Sequence, residues 1–167
     1  MPGTSPWPQR LVGMLAVLLA VGFVALAAVG GSLYWQRVES RAAQDTRAEL
    51  APLAAETIPK ILGYDYQTVE TTMTDVYPLL TPGYRQEFET QATQTVIPQA
   101  RQRQIVSQVN VVGRGVMSAA RNTGTVLVYL NRTVTDKSKE PLVDGARVQV
   151  SYQKVDGRWL IDMIKPI

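Results

Sequence analysis

A few acids in the C-terminal two thirds of the chain are the best candidates for chemistry. Burial inside a cavity would raise the pKa of a carboxyl toward the range useful for general acid–base catalysis. The candidates are Asp65, Glu87, Glu89 and Asp162. Asp162 is singled out because it alternates with the apolar face of the last predicted strand. For each of the four, the simpler interpretation is an exposed side chain or one paired with a neighbouring base.

Aromatic residues form a second set of candidates. Tyr64, Tyr66, Tyr77 and Tyr84 cluster in sequence, and with Trp159 they would be able to line a cavity that accepts a lipid. The alternative is that they fill a core in which each hydroxyl finds a partner. The sequence therefore predicts a cavity or partner surface formed from Tyr64, Tyr66, Tyr84, Trp159 and Asp162.

The composition of the chain weighs against an enzyme. It contains no cysteine and no histidine. Disulfides, thiol catalysis and thiolate metal sites are thereby excluded, and the commonest general base and transition-metal ligand are missing. The acids and bases are interspersed at a net charge of +3, without the basic stripe of a nucleic-acid-binding protein. We expect no catalytic residue, cofactor or metal site.

These residues follow a long apolar segment near the N-terminus. Leu11–Tyr34 is uncharged and, as a helix, would extend roughly 36 Å, enough for a hydrocarbon core of about 30 Å. Trp7 and Trp35 lie at its two ends, where indole rings favour the headgroup region, and Arg10 and Arg37 mark its edges. The segment is predicted to be a transmembrane helix over residues 11–35.

Two further interpretations of this segment stay open. The residues Ala25-Leu26-Ala27 resemble a signal-peptidase site, although the apolar run continues well past them. Small residues at four-residue spacing would also let another helix approach closely, or they arise by chance in a helix rich in alanine and glycine. These residues are Ala16, Ala20, Ala27 and Gly31.

Charges beside the segment leave its orientation open. Arg37, Arg41 and Arg47 follow it, and only Arg10 precedes it, which by count favours a cytoplasmic C-terminal domain. Long domains, however, cross the membrane largely regardless of such charges. Sequence physics alone does not assign the side of the membrane.

Hydrophobic periodicity beyond the segment predicts helices first and strands afterwards. Helices are expected from residue 38 to Gly63, with Pro52 either breaking the helix or starting a new one, and from 68 to 80. A third is expected to begin at Thr81-Pro82 and to kink or end near Pro98. Alternating strands follow near residues 109–117, 125–131, 147–153 and 159–164, with a polar loop over 136–145.

This order predicts an α+β domain of about three helices on a curved four-stranded antiparallel sheet. The predicted organisation is a tail over residues 1–10, the transmembrane helix over 11–35, a juxtamembrane helical region over 36–62, and the rest of the domain over 63–167. Behind one membrane helix, this order of elements resembles the cone-shaped cystatin-like or ketosteroid-isomerase-like fold.

Short motifs along the chain resemble a more specific family, the Mce-associated membrane proteins of actinobacteria. The resemblance runs from about residue 12 to the end, and its motifs are structural. They are Ile61-Leu62-Gly63-Tyr64-Asp65-Tyr66, Leu79-Leu80-Thr81-Pro82-Gly83-Tyr84, Val96-Ile97-Pro98 and Gly157-Arg158-Trp159-Leu160-Ile161-Asp162. Departures are the short N-terminal tail and Pro78, which lies inside the second predicted helix.

The resemblance implies a cytoplasmic N-terminus and an extracytoplasmic domain held at the plasma membrane. It implies a non-enzymatic accessory or assembly subunit of an Mce-type lipid or sterol import complex, with Mce and permease subunits and membrane lipid as partners. Two alternatives stay open. One is a structural cone-domain component of another envelope machine, such as a type IV secretion system, and the other is a membrane-anchored enzyme with an isomerase-like pocket.

Overall fold

The computed structural model describes residues 37–138 and 140–167. The expected tail and transmembrane helix, with Ala16, Ala20, Ala27 and Gly31, lie outside these residues. In the part of the chain that the structure describes, no helix is both long enough and apolar enough to cross a membrane. Ala42–Ile167 forms one of two compact units, and the elements that carry the site belong to it.

The first helix, α1, covers residues 37–62 without interruption. Pro52 is exposed, so the carbonyl group that loses its amide donor lies on the solvent side of the helix. The buried side recurs every three or four residues and consists of Thr46, Leu50, Ala54, Thr57, Ile58 and Ile61. The helix ends at Gly63, whose amide donates to the Pro59 carbonyl at 2.9 Å. Of the two outcomes considered for Pro52, the structure has neither a break nor a new start.

Two shorter helices follow the two-residue strand β1, Tyr64–Asp65. Helix α2 covers Val69–Val76 and continues into a 3₁₀ turn, Tyr77–Leu79, where Pro78 occupies an early position. Helix α3, Pro82–Gln91, begins where the sequence predicts. The Thr81 hydroxyl accepts the Tyr84 amide at 3.4 Å, and Pro82 takes the first helical position.

The third helix changes its winding before Pro98 and then continues. A π-helical turn at Ala92–Val96 joins α3 to α4, Ile97–Arg103. Proline has no amide proton and crowds the preceding turn, and a π-bulge is one way for a helix to absorb such a disruption. The expected irregularity is therefore present near Pro98, but the helix does not end there. It ends at Gln104, which has a left-handed backbone with φ of 54°.

The sheet has five antiparallel strands in sequential order, with β1 at one edge. The four long strands are β2, Val106–Ala119, β3, Thr123–Thr135, β4, Leu142–Val155, and β5, Arg158–Pro166. A tight turn with positive φ at Asp156 and Gly157 joins β4 to β5, between two of the predicted strands. The α+β class with helices on an antiparallel sheet is confirmed.

Two details of the sheet differ from the expectation. The sheet has one strand more than predicted, because the sequence analysis missed β1, which has two residues and is too short to show a periodicity. The polar loop is also shorter than residues 136–145, because Leu142–Gly145 pairs with Asn131–Val134 of β3. Leu142 and Val143 are exposed and the segment contains a glycine, so its side chains do not show the alternation that identifies a half-buried strand.

The inner face of the sheet packs against α1 through apolar contacts and one buried hydrogen bond. Val126, Val128 and Val150 are fully buried there with Leu50. The hydroxyls of Thr57 and Tyr152 lie 3.1 Å apart, and Thr57 donates to the Leu53 carbonyl at 2.8 Å. Because that donation uses the one proton of Thr57, Tyr152 is the donor between them. Burial raises the pKa of Tyr152 to about 12, which keeps the phenol neutral.

Gly124 allows this close approach of helix and sheet. A Cβ at position 124 would overlap the Leu50 side chain and lie 3.2 Å from the Ser118 carbonyl oxygen. A Cβ atom added at Gly115, in the neighbouring strand β2, would meet no other atom within 4 Å. The two glycines therefore form a matched pair, one required by packing and one not.

We expect Gly124→Ala to lower the free energy of unfolding by about 1–3 kcal/mol, the range for overpacking a well-filled core. Gly115→Ala is the control and is expected to change it by less than about 0.5 kcal/mol, as for a surface substitution. Urea unfolding of the full chain in detergent measures both. Equal effects of the two substitutions would contradict the role given to Gly124.

Candidate functional site

A cleft of about 320 Å³ lies between the helices and the inner face of the sheet. Its lining is mostly apolar and comes from the end of α1, from α2, from α3 and from the last two strands. These residues are Ile61, Leu62, Met73, Phe88, Val148 and Ile164. Its polar lining includes Gln91, Ser107 and Arg132. The Ser107 hydroxyl already donates to the Leu62 carbonyl at 3.0 Å.

Tyr64 and Tyr84 are the two predicted site residues that line this cleft. Both rings are about half-buried, and burial is the main cause that raises the pKa of each phenol. The Tyr84 hydroxyl forms a hydrogen bond with the backbone of Ile164. Both phenols therefore remain neutral near pH 7, and each contributes an apolar ring face and an uncharged hydroxyl to the cleft.

Arg132 brings a positive charge to the same cleft. Its Nη2 lies 3.4 Å from Oδ2 of Asp144, and both side chains are about half exposed, so the pair is weak. Arg132 and Arg103 both act to lower the pKa of Tyr64, although burial outweighs them. Arg103 is itself paired with Asp136 at 3.0 Å. Amide and hydroxyl donors of Ser138, and then Arg103, hold the pKa of Asp136 at about 2.

Trp159 lies apart from this cleft, against α1. Its indole Nε1 donates to Oε2 of Glu49 at 2.6 Å, and the Lys154 ammonium lies 5.1 Å from the ring centroid. A second, polar cleft of about 510 Å³ opens beside this group and includes Asp45, Glu49, Arg121, Lys154 and Asp156. The indole therefore joins β5 to α1 through a hydrogen bond and does not line the apolar cleft.

Asp162 has a structural role at the start of α3. A β-bulge in β5 pairs Ile161 with Tyr152 and Met163 with Ser151, so Asp162 between them has no partner in the register. Its Oδ1 accepts the Thr81 hydroxyl at 3.0 Å, and the Thr81 amide donates to the Ile161 carbonyl at 2.8 Å. Asp162 is thus tied to the N-cap of α3 and is exposed.

The remaining candidates lie on the surface or in a separate apolar cluster. Tyr66 packs at the margin of a cluster that includes Val69 and Ala92, and its hydroxyl accepts a hydrogen bond from the side-chain Nε2 of Gln67 at 3.2 Å. The Asp65 carboxylate accepts the Gln67 amide in a turn. Glu87 and Glu89 are exposed on α3. Over residues 37–138 and 140–167, no group of acidic side chains is arranged to hold a metal ion.

The main residue that the sequence analysis missed is Arg132. It continues the alternation of Val126, Val128 and Leu130, which are all buried on the inner face. The period of two therefore predicts that Arg132 lies on the same face, beyond the packed core. That signal is present in the sequence, but Arg132 is not among the predicted site residues.

The outer edge of β2 is a second candidate surface. β1 pairs only with Val106 and Ser107, so within the described residues no strand pairs with the outer edge of β2 from Gln108 to Ala119. Register shifts fall at Val112 and Met117, whose side chains are 57% and 56% exposed. An open edge offers backbone donors and acceptors to an extended segment of another protein.

Comparison with known proteins identifies relatives, although no protein-family model matches the chain. Outer membrane protein Rv1973 of Mycobacterium tuberculosis is 29% identical over 144 residues, which covers 86% of this chain and 90% of that protein. Uncharacterized protein Rv1362c of the same organism is 26% identical over 163 residues, covering 96% and 71%.

Solved structures with a similar fold include proteins of type IV secretion systems. An IcmL-like type IV secretion system protein of Legionella pneumophila has a TM-score of 0.61 at 11% identity, covering 72% of this chain and 93% of its own. The periplasmic domain of DotI has a TM-score of 0.62 at 10% identity, covering 72% and 94%. Agrobacterium tumefaciens VirB8 has a TM-score of 0.52 at 15% identity, covering 67% and 85%. At these identities the likeness establishes the cone fold alone.

The indole–carboxylate contact predicts a pH-dependent stability. The Trp159 hydrogen bond is the main cause that lowers the pKa of Glu49 below 4.5, assisted by Lys154 and opposed by slight burial. A depressed pKa stabilises the fold above the unfolded value, and this contribution is lost as the pH falls through the folded value. Because Glu49 is about half exposed, we expect it to be worth less than about 1 kcal/mol.

We therefore expect the stability difference between the wild-type chain and Trp159→Phe to be larger near pH 7 than below the folded-state pKa of Glu49. Urea unfolding at several pH values measures it. Trp159→Phe in a Glu49→Gln background is the control, because packing lost with the indole is then measured without the titrating carboxylate. The same pH slope in both backgrounds would show that Glu49 is not the group involved.

Proposed function

We propose that this chain is a non-enzymatic accessory or assembly subunit of a multiprotein complex in the cell envelope, and specifically of an Mce-type lipid or sterol import system. In this proposal the apolar segment is a retained transmembrane helix with its N-terminus in the cytoplasm. The cone domain then lies outside the plasma membrane, with Mce and permease subunits and membrane lipid as its partners.

The observation that carries the proposal is a cone domain, with an open sheet edge on β2, directly after an apolar segment long enough to span a bilayer. Similar folds are found in the periplasmic domain of DotI and in VirB8, which supports an envelope setting for this arrangement. The relative Rv1973, covered over nine tenths of its length, carries the name outer membrane protein. The Mce assignment depends on the resemblance of short motifs.

The location of the acids supports a binding role over catalysis. Asp65, Glu87, Glu89 and Asp162 lie outside the apolar cleft, and the cleft is lined by neutral tyrosines and one arginine. General acid–base catalysis on a substrate in the cleft would need a group that exchanges protons near neutral pH. The two phenols, with pKa values raised above 10, do not supply one.

A component of a type IV secretion system is the second candidate, and the solved structures of similar fold favour it. One experiment separates the two. The full chain carrying an affinity tag is purified from gently solubilised membranes, and the co-purifying proteins are identified by mass spectrometry. Mce and permease subunits would support the first assignment and secretion subunits the second. Recovery of neither would count against both.

The β2 edge predicts which variants disturb the complex. We expect Val112→Lys with Met117→Lys to reduce recovery of partner subunits on the order of tenfold or more, because charge is added beside the open edge. Leu142→Lys is the matched control, since Leu142 is equally apolar and 68% exposed but lies on β4. Circular dichroism checks that both variants fold. Unchanged recovery with the double variant would remove the β2 edge from the interface.

A further inference from the structure

The apolar cleft combines apolar walls with an accessible guanidinium, which belongs to Arg132. We propose that it binds a single linear alkyl chain whose anionic head group, a carboxylate or a phosphate, is held by Arg132. This inference rests on the proposed function and deepens it, because it names the chemical class of ligand that the subunit would receive or pass on.

The apolar part of the cleft suits one alkyl chain. Its volume of about 320 Å³ lies at the low end of ligand pockets, which range over about 300–1,000 Å³. Met73 and Phe88 form part of the wall, and a thioether side chain adapts readily to an irregular apolar ligand. Because the aliphatic lining lacks a fixed array of donors, it would recognise a hydrocarbon by burial and not by its pattern of polar groups.

The polar part of the cleft suits an anion. Arg132 presents a planar fork of donors, the geometry that binds carboxylates and phosphates through two parallel hydrogen bonds. Its partner Asp144 is 52% exposed, so water can take over the aspartate when a ligand anion replaces it. Arg103 is a second positive charge near Tyr64. Like Arg132, it acts to lower the pKa of that phenol, although burial outweighs both.

The test uses a photoreactive probe, dodecanoate carrying a diazirine near the end of its chain, on the full chain in lipid nanodiscs. After irradiation, mass spectrometry locates the labelled peptides. We expect labels on the segments that contain Ile61, Met73 and Phe88. Unlabelled dodecanoate or dodecyl phosphate should compete, and their relative potency identifies the preferred head group. Labels spread over the protein surface, or equal competition by dodecanol, would overturn the inference.

Two substitutions test the head group and the entrance separately. Arg132→Gln is expected to lower labelling at subsaturating probe on the order of tenfold, the loss of a charge-assisted pair. Arg147→Gln, an exposed arginine on the outer face, should leave it unchanged. Gln91→Trp should obstruct the cleft, whereas Gln94→Trp on the same helical run should not. Circular dichroism checks that all four variants fold. If the two variants of each pair lost labelling equally, the proposal would be overturned.

The affinity should also depend on chain length in a way that distinguishes a cleft from bulk lipid. Each added methylene group is worth about fourfold in affinity while it is buried. We expect competition to improve from octanoate to dodecanoate and then to level off once the cleft is full. Partition into lipid alone would continue to improve with length and would contradict the proposal. Labelling needs no partner protein, so it succeeds or fails independently of the co-purification experiment.

Discussion

The close contact between α1 and β3 is the constraint on which the rest of the domain depends. It requires the absence of a side chain at Gly124, because Leu50 and the Ser118 carbonyl occupy that space. The buried pair of Thr57 and Tyr152 then joins the same helix to β4. A buried hydroxyl left without a partner costs about 1–3 kcal/mol, so this pair restricts the register of helix on sheet more than apolar contacts alone would.

Once α1 is held in this way, the position of the cleft follows. α1 covers one part of the inner face, and the helical run that includes α3 and α4 covers another. The buried residues accordingly divide into two clusters, one around Ile58 and Val150 and the other around Val69 and Ala100. Phe88 packs against both. The cleft lies between them, which explains why its walls are apolar although no packed side chain fills it.

Local periodicity predicted the parts of the fold that repeat, and it failed where the backbone departs from a repeat. The buried stripe of α1, the Thr81-Pro82 start and the Asp156-Gly157 turn all follow from neighbouring residues. The π turn at Ala92–Val96 and the bulge at Asp162 do not, because each adds a residue and moves the side chains that follow. The prediction of Asp162 as a cavity acid assumes a regular strand, and the bulge removes that regularity.

The candidate site was predictable in part for the same reason. Tyr64 and Tyr84 line the same cleft from β1 and from α3, and no local pattern encodes that arrangement. Trp159 was grouped with them as an aromatic residue, but its indole proton requires an acceptor when it packs, and Glu49 provides one from the middle of α1, away from the cleft. By contrast, the position of Arg132 could be predicted from the alternation in β3. Arg132 follows Val128 and Leu130 at the same spacing of two residues, so it lies on the inner face.

The β2 edge is unpaired over most of its length, and bulges interrupt it. Bulges at Val112 and Met117 interrupt the register, which is a common protection of an exposed edge against unwanted pairing. Proteins that only need protection usually add lysine or proline along the edge. This edge instead exposes Val112 and Met117 and carries Arg114 as its single charge. The bulges disfavour pairing with a second flat strand, and the apolar side chains at the bulges stay exposed at the surface.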